Sequence, residues 1–218
     1  MSKIKKSKRG HRKPSVMGRS DIPYAQRIAM QQNNDIAVGR NHAAKITMFC
    51  NCVALHELEG IGYKRLIRYS LHFNEVVSEF YEDVEVGMAH AKRRMEQMGM
   101  PITGEFYSVK VPGYSKREQE IHDHALQASQ IALICSAIAM NDEFGFGQER
   151  QERVSQKSKE LSAQYAKEGE KFLLDKLEKI GFEIVDGEAR CYMDDDGTIL
   201  TPKQWRKESG NERPSHAG

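Results

Sequence analysis

Residues 43–65 read AAKITMFCNCVALHELEGIGYKR, and residues 128–150 read ASQIALICSAIAMNDEFGFGQER. Set 85 positions apart, the two stretches coincide at Ala43/Ala128, Ile46/Ile131, Cys50/Cys135, Ala54/Ala139, Gly60/Gly145, Gly62/Gly147 and Arg65/Arg150, seven of 23 positions. Other positions exchange like for like: Met48 with Leu133, Val53 with Ile138, Glu57 with Asp142. The register continues through Arg68/Arg153, Glu75/Glu160 and Phe80/Tyr165. The first copy then carries three extra residues and the offset becomes 82, pairing Gly87 with Gly169, Met95 with Leu177, Glu96 with Glu178 and Gly99 with Gly181. Self-similarity of this kind marks a unit written twice. The insertion is expected to fall in a loop, where extra residues are tolerated.

Each copy reads as three helices followed by a hairpin. Ile46, Phe49, Cys50 and Val53 recur at i, i+3, i+4 and i+7, as do Ile131, Ile134, Cys135 and Ile138, which is one face of a helix. Gly60 and Gly145 end these helices, since glycine enters the left-handed C-cap conformation without a steric penalty. More polar second helices are expected near 63–82 and 148–168. Third helices are expected near 87–98 and 170–180, with Ala91, Met95, Met98 and Leu173, Leu177, Ile180 on their apolar sides. Phe182 to Tyr192 contains Asp186-Gly187, which suits a tight hairpin turn. Gly104, in the stretch Ile102 to Tyr107, suggests a comparable bend.

The fold class that follows is mainly α with small β-hairpins (α+β), a tandem duplication of a three-helix-plus-hairpin unit about a pseudo-twofold axis. The expected organisation is a basic arm at 1–20, a first unit at 35–110, a second at 120–205 and a tail at 206–218. Pro112-Gly113 joins the units. Thr201-Pro202 suits a helix start, and Trp205 behind it is expected to dock on the second unit's hairpin.

Composition narrows the class. The chain has 218 residues, 39% hydrophobic and 29% charged. No run approaches the roughly 20 apolar residues that span a bilayer. Four cysteines are too few for a disulfide scaffold. Charge is unevenly spread. Lys3, Lys5, Lys6, Lys8, Arg9, Arg12, Lys13 and Arg19 face no acid within residues 1–20. That leaves 25 cations against 31 acids in the rest of the chain, a sum of −6. A basic arm of this kind is a common nucleic-acid contact, because each cation near a phosphate releases condensed counterions. With no export signal in view, a cytoplasmic location is expected.

Motifs for catalysis or metal binding fall short of their requirements. His56-Glu57-Leu58-Glu59-Gly60 starts like a zinc protease motif but has Gly60 in place of the second histidine. Cys52 and His56 supply two ligands where a closed zinc site needs four. Asp194-Asp195-Asp196-Gly197 lacks the flanking ligands of a calcium loop and reads as an acidic turn. Asp123, in His122-Asp123-His124, is expected to cap the second copy's first helix. Cys50 and Cys135 lie on the apolar stripe, where burial raises a thiol's pKa and makes it a poor nucleophile. No catalytic residue, metal or cofactor is therefore expected, and the protein reads as a non-enzyme.

The two turns carry the remaining site. Gly60, Gly62, Lys64, Arg65 and Arg68 in the first copy, and Gly145, Gly147, Arg150 and Arg153 in the second, put basic side chains three apart behind a helix N-terminus. Unpaired N–H groups and a partial positive charge there favour anions, so these residues are candidate phosphate or carboxylate ligands. Glu149 and Glu152 offset the charge of the second turn.

The pattern E-F-G-F-G-x-x-R-x-x-R at 143–153, preceded by an apolar helix and followed by a hairpin, resembles small helical proteins encoded by phages and prophages of Gram-positive bacteria. In those the turn is followed by basic residues in the manner of Lys64, Arg65 and Arg68. The likeness covers about 25 residues per copy and implies an origin in a mobile element, acting in a bacterial host cell. On this basis the first expectation is a non-catalytic accessory protein that binds nucleic acid or a nucleoprotein through the arm. The alternative is an inhibitor of a bacterial host factor such as a defence nuclease (anti-CRISPR-like), suggested by the acidic body. A virion assembly factor is a third.

Overall fold

The computed structural model describes residues 24–82, 84–102, 109–186 and 188–208. Its helices are α1 (Tyr24–Glu59), α2 (Tyr63–Glu82), α3 (Val84–Gln97), α4 (Lys116–Phe144), α5 (Gln148–Glu168), α6 (Glu170–Ile180) and α7 (Pro202–Glu208). Among the described residues there are two antiparallel hairpins: β1 (Glu183–Val185) with β2 (Glu188–Arg190), and β3 (Tyr192–Met193) with β4 (Ile199–Leu200). The protein is mainly helical with small hairpins, as the sequence pattern implies.

The helix ends show how local chemistry sets the elements. α1 and α4 stop in the same way. Gly60 at φ 64° and Gly145 at φ 65° are left-handed, and their N–H groups bond His56 O and Asn141 O. The next residues, Ile61 and Phe146, donate back to Leu55 O and Met140 O. The glycine bonds, from residue i back to i−4, are those of an αL stop. A side chain then ties each turn: His56 Nδ1 lies 3.0 Å from Ile61 O, and Asn141 Nδ2 lies 3.3 Å from Phe146 O. A carbonyl only accepts, so His56 carries its hydrogen on Nδ1. α3 and α6 also end alike, at left-handed Gly99 and Gly181, with Met100 and Phe182 donating to Met95 O and Leu177 O.

Several boundaries differ from the sequence reading. α1 begins at Tyr24, well ahead of residue 35. α4 begins at Lys116, where Ser115 and Glu118 form a capping box, so Asp123 lies inside the helix and is not its cap. Reciprocal side-chain bonds at Ser115 satisfy two orphan N–H groups at once, and that prevails over the later acid. The three extra residues do not form a loop: α3 has 14 residues against 11 in α6, starting at Val84. The first hairpin ends at Arg190, and Tyr192 belongs to the second. Asp194 Oδ1 accepts from the N–H groups of Asp196 and Thr198, which holds the acidic turn. Trp205 stacks on Tyr192 at 4.7 Å, so it docks on β3 rather than on β1–β2. Six residues of the bend expected after Ile102, 103–108, lie outside the described residues.

The helices pack across the halves. α1 lies against α4, α5 and α6; α4 lies in turn against α1, α2 and α3. Each leading helix thus packs on the second and third helices of the other half. The stripe residues Ile46, Phe49, Cys50, Val53, Ile131, Cys135 and Ile138 are buried, with Ile134 half-buried. One core cluster runs through both halves. Burying each large aliphatic or aromatic side chain contributes roughly 1.5–3 kcal/mol.

At the centre of this core sit polar groups. Asn51 Nδ2 donates to Ser136 Oγ at 2.8 Å, and the Tyr69 hydroxyl meets the same oxygen at 2.6 Å. Asn51 and Ser136 are 85 apart, so equivalent positions of the two stretches touch one another. Tyr69 is fully buried, and burial pushes its hydroxyl pKa well up.

Two glycines give opposite expectations. Gly87 in α3 lies so close to α2 that a Cβ built there would stand 2.7 Å from Phe80 Cα and O. Backbone cannot swing aside, so Gly87→Ala should destabilise the fold by about 1–3 kcal/mol. Gly39 in α1 has only Ile121 Cγ2 within reach, at 3.7 Å, and Gly39→Ala should stabilise by up to about 1 kcal/mol. Urea denaturation midpoints measure both.

Candidate functional site

The two Gly-x-Gly turns are brought together at one end of the bundle. Arg65 of α2 lies over the Phe144 ring at the end of α4, 5.0 Å from its centroid. Arg68 is 3.9 Å from Glu143, also at the end of α4. In the reverse sense, Arg153 of α5 pairs with Glu59 at the end of α1, at 2.9 Å, and lies 3.7 Å from Glu149. Arg150 lies over Phe146 within its own turn, at 5.3 Å. Lys64 is exposed.

This arrangement changes the chemistry expected of the basic residues. Gly62 opens α2 without a side-chain oxygen, and Gly147 likewise makes no side-chain cap bond to α5. Arg68 and Arg153 point their charge at carboxylates of the opposite half. An incoming phosphate would have to displace Glu143 from Arg68, or Glu59 from Arg153. Two of the arginines are also held over aromatic rings, where a guanidinium is attracted to the ring face. What the turns do in the fold is pin the N-terminus of each second helix to the C-terminus of the other half's first helix. Exposed ion pairs contribute only about 0–1 kcal/mol each, so the pinning serves geometry more than stability. The eight basic residues Lys3, Lys5, Lys6, Lys8, Arg9, Arg12, Lys13 and Arg19 lie outside the described residues.

A second pair of charged sites was not legible from the sequence as sites. Glu57 of α1 receives Lys176 of α6 at 2.6 Å and Lys157 of α5 at 3.0 Å. Asp142 of α4 receives His72 of α2 at 2.7 Å and Arg94 of α3. The two clamps are counterparts: Glu57 and Asp142 are aligned at offset 85, as are His72 and Lys157, while Arg94 and Lys176 are aligned at offset 82. In each, a carboxylate on a first helix is held by cations from the second and third helices of the other half. The Glu57/Asp142 match is visible in the self-comparison, but the partners are not, because they lie on other elements.

The clamps differ in how they respond to protons. Burial pushes Glu57 up, but hydrogen bonds from Lys176 and Lys157 outweigh it and hold the carboxyl below its ordinary range. Asp142 is likewise raised by burial and lowered further by Arg94 and His72. Burial alone would lower the pKa of His72, yet Asp142 and Glu75 together raise it. Both ring nitrogens of His72 face carboxylate oxygens, at 2.7 and 3.1 Å, an arrangement that favours the imidazolium, whose two N–H groups both donate.

The cysteines fit the reading of packed thiols. Cys50, Cys52 and Cys135 are buried and Cys191 is exposed. Burial lifts Cys50, Cys52 and Cys135 each to about 12. His56 is half-buried and engaged with the turn. No helix among the described residues is long and apolar enough to cross a membrane. No family model matches the chain, and no curated protein or solved structure matches it.

Two outcomes follow from these sites. The stabilising contribution of protonated His72 is fully present below the ordinary histidine value of about 6.5. It is lost as pH rises through the raised native value, because the unfolded state then releases its proton more readily. His72→Lys, which copies Lys157 of the other clamp, should remove that loss, read as urea midpoints on either side of the transition. For the thiols, a disulfide reagent such as DTNB should modify Cys191 alone in the native protein and all four cysteines in denaturant.

Proposed function

We propose that this chain is a non-catalytic accessory protein of a phage-type element, which binds nucleic acid or a nucleoprotein in the cytoplasm of a bacterial host. The observation that carries the reading is the run of eight cations with no acid in residues 1–20, set against a body summing to −6. The body supports it indirectly. Arg68 and Arg153 are matched to carboxylates, so the leader is the stretch whose positive charge the sequence leaves uncompensated. The reciprocal packing of α1 and α4 supports reading the body as one unit written twice about a pseudo-twofold axis. In this scheme the leader supplies sequence-independent affinity and the body sets geometry.

A second reading rests on the acidic sum of the body. It would make the protein an inhibitor of a host factor that normally handles nucleic acid, such as a defence nuclease. Residues 21–218, lacking the leader, should then inhibit a nucleic-acid-processing activity of the host at stoichiometric amounts.

Gel retardation of DNA and RNA tests the first reading. Full-length protein should retard one of them at ~50 mM salt, with log K falling by about 0.9 per phosphate contact for each unit of log[salt] on duplex DNA. Deleting residues 1–20 should weaken binding and flatten that slope. Absence of retardation at ~50 mM salt by the full-length chain would refute the reading, since electrostatic binding is strongest there.

A further inference from the structure

The two halves are filled differently at one place. Met100 and Phe182 hold the same step of the chain, each one residue past a left-handed glycine and each bonded back to the third helix. Gln151 and Leu66 are likewise counterparts, donating their N–H groups to Gly147 O and Gly62 O. Where the start of α2 meets the end of α6, Leu66 and Phe182 are both buried, and the Phe182 ring meets Tyr63 edge-on at 5.1 Å. Where the end of α3 meets α4 and α5, Met100 is only half-buried and a cleft of about 400 Å³ remains. Met95, Met100, Ile134 and Met140 form its apolar wall, and Asn51, Ser136 and Gln151 supply polar groups.

Gln151 is the unusual member. It is 2% exposed. Its Nε2 donates to Phe146 O at 2.8 Å and to Ala137 O at 3.1 Å. Both partners are carbonyls, so the amide cannot be turned over. Its Oε1 is left enclosed with no hydrogen-bond partner among the described residues. Asn51 and Ser136 satisfy one another and Tyr69. A buried acceptor without a donor is destabilising, and the counterpart Leu66 shows that an apolar side chain packs at this step.

We propose that the cleft binds a small, neutral, flat molecule with one hydrogen-bond donor, which covers the methionine wall and donates to Gln151 Oε1. The size follows from the cleft, which lies in the range of small-molecule sites, and from the ring of Phe182 packed at the corresponding step of the other half. Neutrality follows from the uncharged wall and polar groups. Glu152 and Lys159 also border the cleft and bring opposite charges. Gln151, Met95, Met100 and Met140 line the same cleft, and unbranched thioethers readily adjust to a ligand.

The test uses the full chain with methionine methyls labelled for NMR, titrated with indole and with 1-methylindole, which has the same ring system without the N–H. Indole should shift the methyls of Met95, Met100 and Met140 saturably, and 1-methylindole should bind about tenfold more weakly, the difference expected for one hydrogen bond to a buried acceptor. Gln151→Leu should bind the two alike, and Met100→Phe, which fills the cleft as Phe182 does its counterpart, should bind neither. The second variant keeps the test decisive if the first does not fold. Non-saturable shifts with indole, equal affinity of the unmodified protein for both compounds, or binding that survives Met100→Phe would overturn the proposal.

Discussion

The structure depends on α1 and α4 burying their apolar stripes in each other's half. α1 has 36 residues and α4 has 29, yet neither finds its main partners in the segment that follows it. α1 needs α5 and α6, and α4 needs α2 and α3. A single unit taken alone would leave its leading helix with an uncovered stripe. Hydrophobic burial is proportional to the area removed from water, so neither half retains most of its core without the other. The Gly-x-Gly turns make this exchange possible, because a left-handed glycine reverses the chain at the end of α1 or α4 without a side-chain clash.

Polar groups are placed where that crossing needs to be specific. The Asn51–Ser136–Tyr69 cluster sits where the two leading helices meet, in a core that is mostly apolar. Sliding either helix by one residue would leave these groups buried and unpaired, which is unfavourable. The clamps on Glu57 and Asp142 act at the edges of the same contact. They tie each leading helix to two helices of the opposite half. Their chemical difference, two lysines in one and a histidine with an arginine in the other, gives only one of them sensitivity to pH near neutrality.

The same crossing bears on function. Arginines that look free when the turns are read singly become fasteners once each turn is seen against the other half's helix end. That shifts the weight of the nucleic-acid proposal from the turns to the leader. Aligned positions also differ in what surrounds them. Leu66 and Phe182 are buried beside Tyr63, whereas Gln151 and Met100 border a cleft.

Sequence alone determined the elements: where α1 and α4 end, the limits of α2 and α5, the apolar stripes, and the acidic turn at Asp194. Each of these depends on local chemistry, a glycine that accepts positive φ or a 3.6-residue period, and local chemistry is written in order along the chain. The start of α4 was misread because the Ser115–Glu118 box competes with Asp123, and the start of α3 because a helix can absorb three residues as readily as a loop. Tertiary structure decided the partners: Arg153 with Glu59, His72 with Asp142, Gln151 with two carbonyls and an orphaned oxygen. Those pairings depend on which helices cross, and a crossing is set by packing between segments far apart in the chain, for which no periodicity or motif within one segment carries a signal.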